Sequence, residues 1–424
     1  MNPGKHPLLN MPNSASAASR KKDNGAVRPV ESWLIKKLMR LAGEPAIQVT
    51  LWDGQSHYEG GGTAEPVAAM HILDRRSFWR LFTNPNLHFG DDYSLGRIEV
   101  EGSLVAFLEA LFRARQQRTR PGPLRDFLAR GLTRQRRNTR AGSRENIHHH
   151  YDLGNDFYRL WLDEEMAYTC AYFPNRSVTL EQAQAAKLDH IARKLELRPG
   201  ETVVEAGCGW GGLARHFARH YGVNVRAYNI SHQQILYARE RARQEGLADR
   251  VEYVEDDYRN ITGRYDVFVS VGMLEHVGAP NYAGLGRVID RCLSDQGRGL
   301  IHSIGQDRPE PTSAWTEKRL FPGGYPPTLR QMMDIFEGPG FSVLDVENIR
   351  LHYARTLEHW LERFDAHEDT VREMFDAFFV RAWRLYLAGS IANFRAGSLQ
   401  LYQVLFSRPG KNDMAWTRAH LYRD

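Results

Sequence analysis

The fold is decided by Val203-Val204-Glu205-Ala206-Gly207-Cys208-Gly209-Trp210-Gly211-Gly212. A short apolar run ends in an acid, four glycines follow, and a helical segment opens behind them. Glycines let the backbone take positive φ and let a ligand approach the main chain closely. Outward from this stretch, strand-length apolar runs recur at Val223 to Tyr228, Arg250 to Val254, Asp266 to Ser270 and Gly299 to Ile304. Helical patterns such as His232 to Gln244 and Tyr282 to Leu293 lie between them. That alternation predicts an α/β fold, a doubly wound, mainly parallel sheet with helices on both faces. Ser342 to Ile349 and Leu399 to Phe406 supply two last strands, with an aromatic-rich helical insertion over 355–396 between them.

In such sheets ligands bind at the carboxyl edge, where this glycine loop lies. A dinucleotide site needs Gly-x-Gly-x-x-Gly and an acid about 20 residues on. The second strand ends Ala227-Tyr228-Asn229-Ile230-Ser231, with no acid, so NAD is discounted. A Glu-x-Gly-x-Gly loop on a βαβ unit is more typical of S-adenosylmethionine methyltransferases. Glu255-Asp256-Asp257-Tyr258, after the third strand, places a carboxylate and a ring near where an adenine would lie.

Four more clusters fall on loops at the same edge. They are His148 to Asp156 with Tyr168-Thr169-Cys170-Ala171-Tyr172-Phe173, then Val271 to Gly278, Ile301 to Gly305, and His352-Tyr353-Ala354. Adjacent histidines point apart, so the triplet His148-His149-His150 reads as a polar loop rather than a metal site. Glu275 and His302 are costly polar groups beside a buried sheet. They read as functional, against the plainer reading that each pairs with the other or with backbone.

The chain has 424 residues and ordinary globular composition, enough for two or three domains. Net charge is +5, from 56 Lys+Arg and 51 Asp+Glu. Arg113 to Arg144 holds eleven Arg and one acid, a local +10, which leaves 5 − 10 = −5 for the remainder. The segment carries no stacking or groove-reading motif, so nucleic acid is not expected as a partner. It reads as a surface-binding element, with Leu124, Phe127, Leu128 and Leu132 as a short apolar face, or as a solvated linker. Three widely spaced cysteines, Cys170, Cys208 and Cys292, give no disulfide framework. No apolar run reaches membrane-spanning length, and no signal peptide is evident. A cytoplasmic protein that touches the inner face of a membrane is expected. Residues 1–30 read as a disordered tail, 31–112 as a small α+β N-terminal domain, 113–145 as an Arg-rich linker and 146–424 as the catalytic domain.

The motifs from Asn146 to Pro409 resemble the cyclopropane-fatty-acyl-phospholipid synthases, a family shared with mycolic acid cyclopropane synthases. The carriers are His150-Tyr151-Asp152-Leu153-Gly154-Asn155-Asp156, Tyr168-x-Cys170-Ala171-Tyr172-Phe173, Glu205-x-Gly207-Cys208-Gly209-Trp210-Gly211-Gly212, Val271-Gly272-Met273-x-Glu275-His276-Val277-Gly278 and Gln400-Leu401-x-Gln403-Val404-x-Phe406. The resemblance implies a class I methyltransferase fold and an S-adenosylmethionine-dependent enzyme. It would add a methylene across a cis double bond of an unsaturated phospholipid acyl chain, with bicarbonate as general base. It places the bicarbonate site at Cys170, Glu275, His302, Ile304 and Tyr353. It places the cofactor at Tyr168, Thr169, Glu205, Gly207, Gly209, Gly211, Asn229, Gln234, Asp257 and Tyr258. Asn229 stands where many relatives have Thr, Glu205 where many have Asp, and Ser390 where some have cysteine. Family members are often dimers, so a homodimer is an expectation by analogy, and phospholipid at an anionic membrane surface is the expected partner. The resemblance leaves open a lipid methyltransferase that makes a methyl or methylene branch. A small-amine N-methyltransferase and a non-catalytic lipid-binding protein are the more distant alternatives.

Overall fold

The computed structural model describes residues 25–60, 65–118 and 153–422. Residues 1–24 of the expected 1–30 tail, most of the Arg-rich segment and the loop from His148 to Asp152 lie outside the described residues; residues 25–30 are ordered instead, with Val27 buried and the helix Pro29–Leu41 beginning there. The chain forms two compact units.

The first unit joins the described residues up to 118 with 311–322 and 357–398. Its sheet runs β2-β1-β3-β4. β1 (Ile47–Thr50) and β2 (Ser56–Tyr58) form an antiparallel hairpin around Asp53-Gly54, a pair that favours a tight turn. β3 (Ala68–Ile72) lies parallel to β1, and β4 (Ile98–Gly102) antiparallel to β3. The helix Leu104–Arg118 continues past residue 112 into the Arg-rich segment. It packs on the long helix Ala377–Ala396, so the aromatic insertion joins this unit rather than the glycine-loop unit. Arg381 holds the two parts together by donating to the carbonyls of Tyr93 and Ile98 at 2.7 and 3.1 Å.

The second unit is the doubly wound α/β fold. Its sheet has seven strands, β5 (Thr202–Ala206), β6 (Asn224–Asn229), β7 (Val251–Glu255), β8 (Tyr265–Val271), β9 (Leu293–Gln306), β10 (Ser342–Asn348) and β11 (Leu399–Ser407). The order is β10-β11-β9-β8-β5-β6-β7. β5 to β9 pair parallel, and β11 runs antiparallel between β9 and β10. Successive residues of each strand feed opposite cores. Val203, Val225 and Val267 pack with the helices Leu180–Lys194, Gly212–Tyr221 and His232–Gln244. Val204, Tyr228 and Phe268 pack with the helix Tyr282–Cys292 and with Met332 and Ile335. Both faces being covered is why these strands read as continuous apolar runs. The sheet reverses direction of growth at β5 and β8, so the loops after these two strands flank the ligand crevice.

Candidate active site

The glycine loop leaves β5 between β6 and β8. The Gly207 and Cys208 amides both donate to the Tyr228 carbonyl, at 2.9 and 3.1 Å, which pins the loop to β6. Gly207 has φ +86°, and a Cβ there would lie 2.8 Å from the Met273 Cβ. Gly211 has φ +80° and caps the helix Gly212–Tyr221, with the Tyr253 hydroxyl donating to its carbonyl at 2.7 Å. No larger residue fits either place without strain. Buried Arg215, one turn into that helix, donates to the Trp210 carbonyl at 2.9 Å and pairs with Glu165 and Glu245.

Asn229 ends β6 and reaches back to the loop. Its amide donates to the Gly209 carbonyl at 3.2 Å and to Gln234 Oε1 at 2.8 Å. Glu205 is buried at the end of β5, and its Oε2 has no hydrogen-bond partner. Burial pushes its carboxyl up, against the pull of Lys187 and Arg215. Gln234 Nε2 is likewise buried and unpartnered. Asp257 differs. Both its oxygens are engaged by Arg259, one by the backbone N–H at 2.9 Å and one by the guanidinium at 2.8 Å. The same guanidinium lies over the Tyr258 ring, 4.9 Å from its centre.

Four rings gather beside the loop. Tyr158 lies 5.1 Å from Trp210 and 5.5 Å from Tyr168, and Trp161 lies 5.3 Å from Tyr168. Thr169 follows, its side chain against the position a Gly272 Cβ would take, 2.9 Å away. Cys170 is fully buried, its thiol donating to the Ala171 carbonyl. Burial holds that thiol well above its ordinary range, so it is no thiolate nucleophile. The next residues are tied to the helix Arg350–Ala366. Ala171 N–H donates to Thr356 Oγ1 at 3.0 Å, and Phe173 N–H to His352 Nδ1 at 2.9 Å. Tyr353, buried, follows His352 in that helix. Tyr172 is sandwiched between the rings of His190 and His352, at 4.2 and 4.7 Å.

Glu275 and His302 stand on the other side. Glu275 follows β8, and one oxygen accepts the Ile304 N–H of β9. His302 pairs across β9 and β11 with Gln403, whose amide nitrogen faces Nδ1 at 3.2 Å. Glu275 Oε2 and His302 Nε2 are both buried and unpartnered. The plainer reading holds in part: Glu275 pairs with backbone at the Ile304 amide, but the two residues do not satisfy each other, and each keeps one atom without a partner. Burial raises the Glu275 carboxyl to about 7 and lowers the His302 imidazolium to about 3. His302 is therefore neutral at ordinary pH, and with Nδ1 accepting from Gln403 its proton sits on Nε2.

Sequence reasoning missed Asp163, Gln184, Lys187, His190 and Thr356. The helix Leu180–Lys194 buries Leu180, Gln184, Lys187 and Ile191 on one face. Polar residues at 184 and 187 within an apolar stripe were the available signal. Among the described residues no group of three or more His, Cys, Asp or Glu is placed to hold a metal ion, and no helix is long and apolar enough to cross a membrane.

Residues 138–404 match the family model described as mycolic acid cyclopropane synthetase. The chain belongs to this family. Residues 34–121 match a domain of unknown function. Among curated relatives of the synthetase family, the cyclopropane-fatty-acyl-phospholipid synthase of Escherichia coli K12 is 38% identical over 83% of this chain and 91% of its own. A probable fatty acid methyltransferase of Pseudomonas putida is 34% identical over 89% and 96%. The solved cyclopropane synthase MmaA2 of Mycobacterium tuberculosis superposes with a TM-score of 0.59, at 29% identity, over 62% of this chain and 98% of that one. CmaA1, solved with SAH and CTAB, superposes equally well over the same shares. The chain is thus an enzyme of the mycolic acid cyclopropane synthetase family, with the class I, S-adenosylmethionine-dependent methyltransferase fold.

Proposed function

We propose that the enzyme transfers a methylene to the cis double bond of an unsaturated phospholipid acyl chain and closes a cyclopropane ring. The observation that carries this reading is the pair of buried, unpartnered atoms Glu275 Oε2 and His302 Nε2. Two such atoms in a dry wall call for a small polar ligand, because an unsatisfied buried polar group costs about 1–3 kcal/mol. Bicarbonate fits the pair: His302 offers an N–H, and Glu275 offers a carboxyl near its ionisation point. Tyr353 supplies a third side chain, and the Ile304 amide keeps Glu275 oriented. Bicarbonate, when bound, supplies a base for the proton lost on ring closure.

The cofactor fits the other half. S-adenosylmethionine supplies an electrophilic methyl on a sulfonium. Glu205 and Gln234 present free polar atoms, the glycine loop presents backbone, and Tyr168 with Tyr158 and Trp161 presents π faces suited to a cation. An alkene is a poor nucleophile, so alignment must provide much of the rate. A cation left on the acyl chain must also be kept from water. Buried Cys170, Ala171 and Leu274 add only apolar surface or a neutral thiol nearby.

Phospholipid acyl chains lie in bilayers, so we place the reaction at an anionic membrane surface, with the Arg113–Arg144 segment as the contact. A second reading is a methyl- or methylene-branched product, favoured by the similarity to the Pseudomonas putida methyltransferase. The test is incubation with S-adenosylmethionine and unsaturated phospholipid vesicles, with and without bicarbonate. Chromatography must resolve ring from branched isomers. Ring product that falls on bicarbonate removal supports the proposal. Branched product, or indifference to bicarbonate, overturns it.

A further inference from the structure

The stretch from Cys170 to Phe173 is tied to two helices at once, and its amides alternate between them. Ala171 N–H donates to Thr356 Oγ1 at 3.0 Å, Tyr172 N–H to the Ala183 carbonyl at 3.0 Å and Phe173 N–H to His352 Nδ1 at 2.9 Å. Ala183 belongs to the helix Leu180–Lys194, Thr356 and His352 to the helix Arg350–Ala366. The Tyr172 ring lies between the same two helices, stacked on His190 of the first at 4.2 Å and on His352 of the second at 4.7 Å. Both histidines are anchored. His190 is 3% exposed, and its Nε2 lies 2.7 Å from Glu347 Oε2 on β10. Lys194, one turn further along, holds the same carboxylate oxygen at 2.6 Å. His352 is held at the ring by the Phe173 amide and at its carbonyl by the Thr356 hydroxyl, 2.8 Å away.

Stacked rings fix separation and tilt together, which an aliphatic contact does not. Successive residues of a helix point about 100° apart. A helix whose His352 is held in the stack therefore has the direction of Tyr353 set as well. Cys170 stands on the other side of the stack, two residues before Tyr172. We propose that Tyr172, clasped between His190 and His352, is a positioning residue that sets the spacing of Cys170 and Tyr353 and so controls bicarbonate affinity without touching the ion. The inference rests on the reading of this edge as the bicarbonate site.

The test is calorimetric titration of the full chain, with bicarbonate in the presence of S-adenosylhomocysteine and separately with S-adenosylmethionine. The proteins are the wild type, Tyr172→Leu, Tyr172→Phe and His190→Gln. Tyr172→Leu should bind bicarbonate about tenfold or more weakly, the scale of one misplaced hydrogen bond to a charged group. Its S-adenosylmethionine affinity should stay close to wild type. Tyr172→Phe keeps the stacked ring and should restore bicarbonate binding. A purely structural role would weaken both ligands together, or leave Tyr172→Phe as impaired as Tyr172→Leu, and either result overturns the proposal. Unchanged bicarbonate affinity in Tyr172→Leu overturns it as well. If Tyr172→Leu does not fold, His190→Gln decides. That variant keeps a donor for Glu347 and removes one stacked face, so bicarbonate affinity should fall a few-fold, and no fall overturns the proposal. A wild type that binds no bicarbonate would overturn the bicarbonate reading itself, and this inference with it.

Discussion

On the β5–β6 side of the carboxyl edge, the site is made mostly of main chain. Gly207 and Gly211 sit at positive φ, the Gly207 and Cys208 amides are pinned to Tyr228, and Asn229 braces the Gly209 carbonyl. On the β8–β9–β11 side it is made of side chains from distant parts of the sequence. Glu275 leans on Ile304, and His302 leans on Gln403, each held through one atom. The first half is shape built by local sequence. The second is chemistry built by register, since His302 meets Gln403 only because β9 and β11 pair as they do. Gly207 and Gly211 accept no added atom without strain. A half-engaged carboxyl tolerates no lost one.

The largest effect should come from the side-chain half, which controls turnover. Glu275→Gln and His302→Ala should each lower kcat by about 10²–10⁴, in the range of lost acid–base function. S-adenosylmethionine affinity should stay close to wild type in both, because the glycine loop is untouched. Near-normal turnover in either variant would reassign the chemistry.

Protonation gives the next largest effect. The folded Glu275 carboxyl is raised from an ordinary 4.5 to about 7. Its neutral form therefore contributes stability in full below pH 4.5, and this is lost as pH rises through about 7. The shift corresponds to roughly 3 kcal/mol. Glu275→Gln copies the neutral carboxyl and keeps an acceptor for the Ile304 amide. Its Tm should fall less than that of the wild type between pH 5 and 9. Parallel Tm curves would mean that the carboxyl is solvated after all.

The backbone half should respond to bulk instead. Gly207→Ala places a methyl 2.8 Å from Met273 Cβ at φ +86°, a conformation costing about 1–3 kcal/mol. Cofactor affinity should fall by the equivalent of that strain, about 5- to 150-fold, with little change in how turnover depends on pH. The smallest effect belongs to Asn229→Ala. It removes the brace on the Gly209 carbonyl, worth about 1 kcal/mol, and should weaken binding a few-fold in the same titration.

The same division explains what the sequence made legible. The seven strands, their order of chemistry-bearing loops and the glycine turn were readable because local apolar runs and Gly spacing determine them. The hairpin at Asp53-Gly54 was readable for the same reason. The Leu357–Ser398 segment was not, because its partner is the helix Leu104–Arg118, far away in the chain, and only packing reveals that pairing. Glu275 and His302 could be singled out as polar groups at strand ends. Their holding partners, and the full engagement of Asp257 by Arg259, follow from tertiary contacts that no spacing rule encodes.

The sandwich of Tyr172 between His190 and His352 carries a practical consequence. Each imidazole lies nearly parallel to the phenol ring and stacked on it, tilted by 12° and 8°. Ring protons held in that position fall within the phenol's shielding cone, so the two histidines should resonate upfield of free imidazole. Because Phe173 is hydrogen-bonded to one of those rings, the resonances would follow the turn from Cys170 to Phe173 directly. The molecule thus carries its own magnetic reporter of that turn, with no label attached.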